Sequence, residues 1–347
     1  MTLSLLQAMA GAPKGGAEGF FERLVLALQS ESDMDQTTVI RRDAERAARL
    51  KIGGVDAIEL PFKGRADLWT PWRLGQLLRA RKPDIVLTWM NRATRMMPKG
   101  KGPVMVARLG GYYDLKYYRG CDWLVANTPG IAEYLVASGW PEDRVRVLPN
   151  FVESTPGKAL SRTGFGIPES APLLFSLGRL HVNKGFDALL DAVAKLPGVY
   201  LLLAGEGPLA GALKKQASVL GIEDRVRFLG WRRDGPDLLA TCDLFVCPSR
   251  HEPFGNVVAE AWAQGVPVVS TASEGPGRMI AHGVNGMLCP LEDADALAET
   301  MQKLLDGPTY AAEIAAAGRL TYETHYAREP VVAAYKSFFW EIANRHA

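Results

Sequence analysis

Cysteine is rare in this chain: its 347 residues include four, and no two of them form a Cys-x-x-Cys pair. This spacing supports neither a zinc site nor a disulfide framework, so we expect all four thiols to be reduced and buried. Histidine is almost as rare, with five copies and none before His181. The first half of the chain therefore has no imidazole for catalysis.

Long apolar runs are also missing. No segment has the length of a membrane-spanning helix, and the run Leu3–Met9 is short and has no basic leader before it. We expect this run to be a first buried strand rather than a signal peptide, and the protein to be cytoplasmic. No Gly-Lys is followed by Ser or Thr, which excludes a Walker loop. The run Ala204–Pro208 has its third glycine misplaced at Gly211, which argues against NAD.

The chain has the size and patterning of a two-domain α/β protein. It is 48% hydrophobic and 22% charged, and its length exceeds what one core usually supports. Short apolar runs alternate with amphipathic ones, and the alternation restarts after residue 170, which predicts two Rossmann-like, doubly wound domains. We expect an N-terminal domain at 1–150, a linker at 151–171, a C-terminal domain at 172–325 and a final helix at 326–347. The strands predicted in the second domain are Leu173–Leu177, Val199–Ala204, Val226–Leu229, Leu244–Cys247, Val266–Ser270 and Gly286–Cys289.

The most informative motif is a pair of glutamates, Glu252 and Glu260, joined by a Gly-containing turn and the start of a helix. Unpaired backbone N–H groups at a helix N-terminus receive phosphate and hydroxyl oxygens. Carboxylates accept hydrogen bonds from sugar hydroxyls, and this spacing places the two groups about two helical turns apart, so that one holds a hexose and the other a ribose. The candidate binding residues between them are Pro253, Phe254, Gly255, Asn256 and Val257.

Two cations precede this motif. Arg179 and Lys184 follow an apolar strand that ends in Gly178. An Arg fork and a Lys point charge suit the two phosphates of a leaving nucleotide, where negative charge develops as a glycosidic bond breaks. Taken alone, the spacing of the glutamates is better explained by an exposed helix face, and the alternative for the two cations is a charged surface beside a turn. Together, the two motifs favour a sugar-nucleotide site.

With these motifs the chain resembles the retaining glycosyltransferases of family 4, whose GT-B fold has two Rossmann-like domains facing a central cleft. The resemblance covers nearly the whole chain and is strongest over residues 173–305. The matching runs are Gly178-Arg179, Lys184-Gly185, Ala204–Pro208, Phe228–Gly230, Cys247–Ser249, Glu252–Glu260 and Gly265–Val269.

The resemblance implies transfer of a hexose from a UDP- or GDP-linked sugar to a hydroxyl, with retained configuration and without cofactor, metal or enzyme nucleophile. Arg179 and Lys184 would stabilise the leaving diphosphate, Glu252 would position the sugar ring, and Glu260 would bind the ribose. The compact length and the segment Gly110–Tyr113 look most like bacterial enzymes that build lipopolysaccharide core or other surface glycans. The alternatives are a transferase with a soluble acceptor and a catalytically silent module that binds a nucleotide sugar.

Members of this family often have a first-domain histidine near the reacting carbon, and this chain has none before His181. Ligands gather at the carboxyl ends of strands in open α/β sheets, so Asn91, Arg92 and Asp114 are the candidate replacements. Asp114 would orient the acceptor hydroxyl, and the other two would hold neighbouring groups. The alternative is that Asp114 is a turn residue among packing tyrosines.

Other positions have weaker signals. By resemblance, the loop containing Gly15 and Gly16 faces the donor diphosphate. Trp231 is predicted near the nucleotide base, with plain packing as the alternative. The segment Glu274–Arg278 departs from the family, which more often has a Gly pair and a following Glu there. The pair Asp33-x-Asp35 lies in a polar loop, and we expect it to bind no metal because the diphosphate already has two cations.

Charge is unevenly shared along the chain. Residues 1–150 contain 22 Lys or Arg against 16 Asp or Glu, a net charge of +6, whereas the remainder has a net charge of −4. Basic clusters attract anionic partners, so we expect an acidic glycan or glycolipid acceptor and peripheral contact with the inner membrane's anionic cytoplasmic face; a solvated surface is the alternative. No nucleic-acid-binding module is present, and no such partner is expected. The clustered cations are Arg41, Arg42, Arg46, Arg49, Lys51, Arg92, Arg95, Lys99, Lys101 and Arg108.

Overall fold

The chain forms two compact α/β units. The structure, a computed structural model, describes residues 2–13, 15–64, 66–99, 102–153 and 155–346. One unit comprises Met1–Phe151 and Arg328–Ala347, and the other comprises Val152–Ala327. Each is built on one parallel sheet, so the predicted fold class is confirmed.

The described residues of the first unit form seven parallel strands. They are β1 (Leu3–Met9), β2 (Met34–Arg41), β3 (Ile58–Leu60), β4 (Ile85–Trp89), β5 (Val104–Leu109), β6 (Trp123–Ala126) and β7 (Val145–Val147). The helices between them are α1 (Gly16–Gln29), α2 (Ala44–Ile52), α3 (Trp69–Arg81), α4 (Met90–Met96) and α5 (Pro129–Ala137). The sheet order is β3-β2-β1-β4-β5-β6-β7, so the direction of winding reverses between β1 and β4. Every residue of β4 is buried, as expected for a central strand covered on both faces.

The described residues of the second unit form six parallel strands, each within two residues of its predicted bounds. They are β8 (Leu173–Leu177), β9 (Tyr200–Ala204), β10 (Val226–Gly230), β11 (Leu244–Cys247), β12 (Val268–Thr271) and β13 (Met287–Cys289). Its helices are α6 (Phe186–Ala194), α7 (Ala210–Val219), α8 (Gly235–Thr241), α9 (Asn256–Ala263), α10 (Pro276–Met279), α11 (Ala294–Asp306) and α12 (Pro308–His325). The order β10-β9-β8-β11-β12-β13 reverses between β8 and β11.

The segment after Phe151 packs onto the second unit. Val152 and Ile167 are buried in the same apolar cluster as Phe175, and the Leu160 N–H donates to the Thr241 hydroxyl at 2.8 Å. The residues predicted to form a linker therefore contribute to a hydrophobic core.

The last helix, α13 (Arg328–His346), belongs to the first unit. One face of this helix is buried in the core of the first unit. The residues of this face are Val331, Val332, Tyr335, Phe338, Phe339 and Ile342. Among the described residues, no helix combines the length and the apolarity of a membrane span.

The four cysteines do not share one environment. Cys247 and Cys289 are buried as predicted, whereas Cys121 and Cys242 are only half-buried, so the prediction is wrong for these two. Burial raises the pKa of the Cys121 and Cys289 thiols to about 12, which keeps them protonated at neutral pH.

Candidate functional site

Two loops of the second unit lie side by side where its strand order reverses. β8 pairs with β9 on one side and β11 on the other, so the loops after β8 and β11 share one sheet edge. The backbone N–H groups of Arg250 and His251 both donate to the carbonyl oxygen of Asn183, at 2.9 and 3.1 Å. The two sequence motifs, which lie far apart in the chain, are joined at this point.

The centre of the site is an ion pair between Lys184 Nζ and Glu252 Oε2. The two side chains are only 25% and 12% exposed, so the pair is largely shielded from water. The sequence assigned Lys184 to a diphosphate and Glu252 to a sugar ring, without predicting that they touch. A lysine ammonium has three N–H donors, so Lys184 retains donors for a further acceptor.

Arg250 fixes the turn that contains Lys184. Its guanidinium donates to both carboxylate oxygens of Asp187, at 2.6 and 2.7 Å, and to the Val182 carbonyl oxygen at 2.9 Å, and it also pairs with Glu292. These hydrogen bonds from Arg250 lower the pKa of the Asp187 carboxyl. Sequence reasoning gave Arg250 no role because its carboxylate partners are 63 and 42 residues away.

The turn after Lys184 requires glycine. Gly185 has a φ of +63°, in the left-handed region, and a Cβ at this position would lie 2.0 Å from the Pro248 carbonyl oxygen. Any other residue would push apart the loops after β8 and β11.

A third loop, after β12, supports Glu252 from its backbone. Glu274 Oε2 accepts from the Glu252 N–H at 3.1 Å, and Glu274 Oε1 lies 2.6 Å from His251 Nδ1. The Gly275 N–H donates to the Glu252 carbonyl oxygen at 2.8 Å. Burial raises the pKa of the Glu274 carboxyl, but hydrogen bonds from backbone N–H groups and His251 outweigh this effect and lower it. Glu274, where the sequence departs from the family pattern, thus anchors Glu252.

The second glutamate lies on α9. Glu260 is half-buried in the second turn of this helix, so the two glutamates flank the helix start as their spacing predicted. Gly255 immediately precedes the helix, and Phe254 is buried with its ring centroid 6.0 Å from that of Tyr326. Phe254 therefore anchors the turn and offers a ligand only its backbone. The half-buried residues of the run are Pro253, Asn256 and Val257.

A cavity of about 470 Å³ opens at the carboxyl ends of β8, β9 and β10. Arg179 lines it, is exposed, and pairs with no carboxylate in the described part of the chain. Trp231 also lines the cavity and is exposed, with the guanidinium carbon of Arg233 5.1 Å from its ring centroid. An aromatic face and an unpaired cation thus border a space of the size that small-molecule sites occupy.

In the first unit, two buried charged side chains hold the Gly-rich loop after β1. Glu18 accepts from the Ala12 N–H at 2.8 Å, and Arg46 donates to the Ala12 carbonyl oxygen at 2.8 Å. A Cβ on Gly15 would lie 2.2 Å from Glu18 Oε2, so a side chain at this position would require Glu18 to move. Gly16 is the first residue of α1. Sequence reasoning missed both supports, although a Glu in the first turn of α1 is a local signal.

The loop after β4 turns directly into α4. Met90 has a φ of +63°, which is uncommon outside glycine and marks a strained turn at a strand end where ligands gather. The hydroxyl of the buried Tyr118 donates to Asn91 Oδ1, which leaves the Asn91 amide nitrogen for other partners. Arg92 is exposed.

Asp114 caps a short turn. Its carboxylate accepts from the Lys116 N–H at 2.9 Å and pairs with Lys116 Nζ at 2.5 Å. The side-chain hydrogen bond from Lys116 lowers the pKa of the Asp114 carboxyl, which makes it a weak proton acceptor near neutral pH. Its predicted role in orienting an acceptor stays a prediction.

Two of the predicted surface cations are not on the surface. Arg46 and Arg108 are buried, so their assignment to an anion-attracting surface is wrong. The guanidinium carbon of Arg108 lies 4.6 Å from the Phe20 ring centroid and 4.7 Å from that of Trp89. These aromatic faces and the hydroxyl of Tyr335 satisfy the buried charge. Lys101 lies outside the described residues.

The Asp-x-Asp pair belongs to the anchor of the last helix. Asp33 pairs with Lys336 Nζ at 2.7 Å and accepts from the Trp340 indole N–H at 3.4 Å, while Asp35 lies on β2. Over the ranges that the structure describes, no group of three or more His, Cys, Asp or Glu side chains is arranged to hold a metal ion.

Known proteins share this architecture and sequence. The sequence profile described as "Glycosyltransferase Family 4" matches residues 14–155, and that described as "Glycosyl transferases group 1" matches residues 158–321. The lipopolysaccharide core biosynthesis glycosyltransferase LpsE of Rhizobium meliloti (strain 1021) is 40% identical over 92% of this chain and 94% of its own. A glycosyltransferase structure from Rickettsia africae ESF-5 is 18% identical over 98% of both chains, with a TM-score of 0.84. Anabaena HepE in complex with UDP and glucose is 21% identical over 98% of this chain and 100% of its own, with a TM-score of 0.78.

The two parallel-sheet units and the matching family profiles define the GT-B fold of glycosyltransferases. The chain belongs to glycosyltransferase family 4. The family resemblance predicted from the sequence is confirmed.

Proposed function

We propose that this chain is a retaining hexosyltransferase that takes its sugar from a nucleoside diphosphate without a metal ion. Its acceptor would be a hydroxyl of a glycan or glycolipid in bacterial lipopolysaccharide core or surface-glycan synthesis. The observation that carries the proposal is the shielded Lys184–Glu252 pair together with the cavity that Arg179 lines. Lys184 lies beside Gly178, which lines the same cavity. The name and identity of LpsE support the choice of pathway.

The two cations, Arg179 and Lys184, are proposed to stabilise the leaving diphosphate. As the bond between sugar and diphosphate breaks, negative charge grows on the phosphate oxygens. Arg179 has no carboxylate partner among the described residues, and Lys184 has N–H donors beyond the one directed at Glu252. Positioned cations that need no reorganisation stabilise such charge most effectively. These two positive charges would also supply the neutralisation that a divalent ion gives in other transferases.

The two glutamates are proposed to bind the hexose and the ribose. Glu252 would accept from hexose hydroxyls, the N–H groups at the start of α9 would hold sugar and phosphate oxygens, and Glu260 would bind the ribose. The cavity beside Trp231 would receive the base. The acceptor oxygen would bond to the anomeric carbon on the face that the diphosphate leaves, and a phosphate oxygen would take its proton, so no enzyme nucleophile is needed.

Different observations support the proposed donor and the proposed acceptor. The complex of HepE with UDP favours UDP over GDP as the donor nucleotide. In the first unit, the proposed acceptor residues are Asn91, Arg92 and Asp114. A glycolipid acceptor would bring the enzyme to the cytoplasmic face of the inner membrane as a peripheral protein.

The test is a thermal-shift panel of UDP, GDP, ADP and their hexose conjugates without added metal, followed by a transfer assay. Wild type is compared with Glu260→Ala and with Glu313→Ala, an exposed glutamate on α12 that serves as a matched control. A ligand at about 100 times its Kd stabilises the folded state by about 2.7 kcal/mol. In wild type we expect a stabilisation of this size with one nucleotide family. Glu260→Ala should lose this stabilisation, and Glu313→Ala should retain it.

The transfer assay separates an enzyme from a silent module. Nuclear magnetic resonance of the product should show the anomeric configuration of the donor, with EDTA leaving the rate unchanged. Nucleotide binding without transfer to any glycan or glycolipid acceptor would favour the silent module, and an inverted product would contradict the retaining mechanism.

A further inference from the structure

Three large apolar side chains at the start of α3 are exposed to solvent. Leu68, Trp69 and Trp72 are 81%, 48% and 55% exposed. Residues three apart lie on the same face of a helix, so the two tryptophans form one patch, and Leu68 precedes them. The opposite face is buried through Thr70, Leu74 and Leu77. A patch of this kind usually marks an interaction site rather than a feature of the fold.

The patch is accompanied by positive charge only. The segment 69–83 contains Arg73, Arg79, Arg81 and Lys82 and no acidic residue. Within the ranges that the structure describes, none of these four cations pairs with a carboxylate, and Arg73 bonds only the neutral Gln76 at 2.8 Å. By helical geometry, Arg73 and Arg79 share the tryptophan face. The nearby Asp67 is occupied, since its carboxylate accepts from Thr70 and from the Lys63 N–H.

We infer that α3 and Leu68 form a docking surface for an anionic lipid membrane, here called the tryptophan face, comprising Leu68, Trp69, Trp72, Arg73 and Arg79. Tryptophan rings settle at the headgroup level of a bilayer, and arginines bind lipid phosphates. α3 has 13 residues and is therefore about 20 Å long at about 1.5 Å per residue, which lets it lie flat on the surface. The basic clusters predicted from sequence include buried residues, whereas every residue of the tryptophan face is at least partly exposed.

The position of the face within the first unit fits this role. α3 connects two parallel strands, β3 and β4, so it runs opposite to them and its first turn lies at the carboxyl edge of the sheet. The loops with Gly15, Asn91 and Arg92 leave the same edge. Docking through Trp69 and Trp72 would thus bring the acceptor residues of the proposed function to the lipid surface, a consequence that rests on that function.

A second copy of the chain does not fit the tryptophan face. In a two-fold dimer the same patch meets itself, which would set the arginines of one copy against those of the other. Three apolar side chains are also far fewer than the 20–30 residues that each partner of a standard interface contributes. A lipid surface with negative headgroups satisfies both the apolar and the basic residues.

The test is flotation of the full chain with vesicles of phosphatidylcholine alone or with about one-third phosphatidylglycerol, without donor or acceptor. The variants are Trp69→Ser/Trp72→Ser, Arg73→Gln/Arg79→Gln and the control Val219→Ser/Leu320→Ser. The control removes two apolar side chains that are more exposed than the tryptophans and lie on α7 and α12. We expect wild type and control to float with anionic vesicles, each test variant to float at least ~10-fold less, and added salt to release wild type.

Each other outcome overturns the inference. Absence of wild-type flotation, equal flotation of the tryptophan variant, or equal binding to uncharged vesicles would exclude an anionic membrane as the partner. Loss of self-association in the tryptophan variant, seen by sedimentation velocity, would assign the face to a second copy. The nucleotide thermal shift is measured on the same preparations: if that shift persists while flotation is absent, the docking surface fails and the proposed function stands.

Discussion

Replacement of Lys184 with methionine removes the ammonium from the centre of the site while keeping a side chain of similar length. Two separate effects are expected, because Lys184 neutralises Glu252 in a shielded position and is proposed to stabilise the leaving diphosphate. Glu252 is only 12% exposed, so water replaces the lost partner incompletely. The first effect is on stability and the second on the rate.

The two effects can be separated because the loss of stability changes Tm and the loss of transition-state stabilisation changes kcat. A shielded carboxylate without its partner destabilises by roughly 1–3 kcal/mol, since the pair retains some exposure. In a unit of this size that is a fall in Tm of about 2–4 °C per kcal/mol. Loss of a positioned charge that stabilises a developing anion costs about 2.7–4 kcal/mol in the transition state, or roughly a 100- to 1,000-fold fall in kcat.

The assay is a double-mutant cycle on kcat and kcat/KM with Lys184→Met, Glu252→Gln and the double variant. If the two side chains act through their contact, the combined loss should be smaller than the sum by about 0.5–3 kcal/mol. Lys195→Met is the control, because Lys195 forms an ion pair with Asp295 on an exposed surface of the same unit. A Lys184→Met enzyme with kcat within threefold of the control would refute the assignment of Lys184 to the leaving group.

Three further changes test the support of the site. Gly185→Ala should destabilise by about 2–4 kcal/mol, through left-handed strain and the clash with the Pro248 carbonyl, as measured by calorimetry. Glu274→Ala should lower kcat/KM by roughly 2- to 10-fold in steady-state assays, because the Glu252 N–H loses its acceptor. The pKa of Asp187 is lowered, so its stabilisation is fully present above its ordinary value of 3.8 and is lost as the pH falls through the lower folded value. Tm should therefore fall more steeply below pH 3.8 in wild type than in Asp187→Asn.

Local patterns predicted most of the second unit. Its six strands are short apolar runs bounded by Gly, Pro or charged residues, and a parallel sheet covered on both faces produces that signal directly. The placement of Glu252 and Glu260 on either side of a helix start was also predictable, because a glycine followed by helix-forming residues lies between them. The segment 151–171 was misleading, because its glycines and prolines obscured the buried positions Val152 and Ile167.

Long-range pairing was not predictable. Nothing near Arg250 in sequence indicates that its partners are Asp187 and Glu292, since Asp187 lies in the first turn of α6 and Glu292 lies in the loop after β13, and only the strand order brings them together. The burial of Arg108 was not predicted, for a related reason. Arginine is usually exposed, and its burial depends on Phe20 and Trp89, which stand on other elements.

The hydrogen bonds around Lys184 and Glu252 hold the loops of the proposed donor site in one arrangement within the second unit. Three loops, each from a different strand, converge there, and every link between them uses a backbone carbonyl, a backbone N–H or a charged pair. An arrangement fixed in this way loses little conformational entropy when the diphosphate arrives, so binding energy can be used on the transition state. Residues such as Arg250 and Glu274, which need touch no substrate, are then expected to affect kcat more than KM.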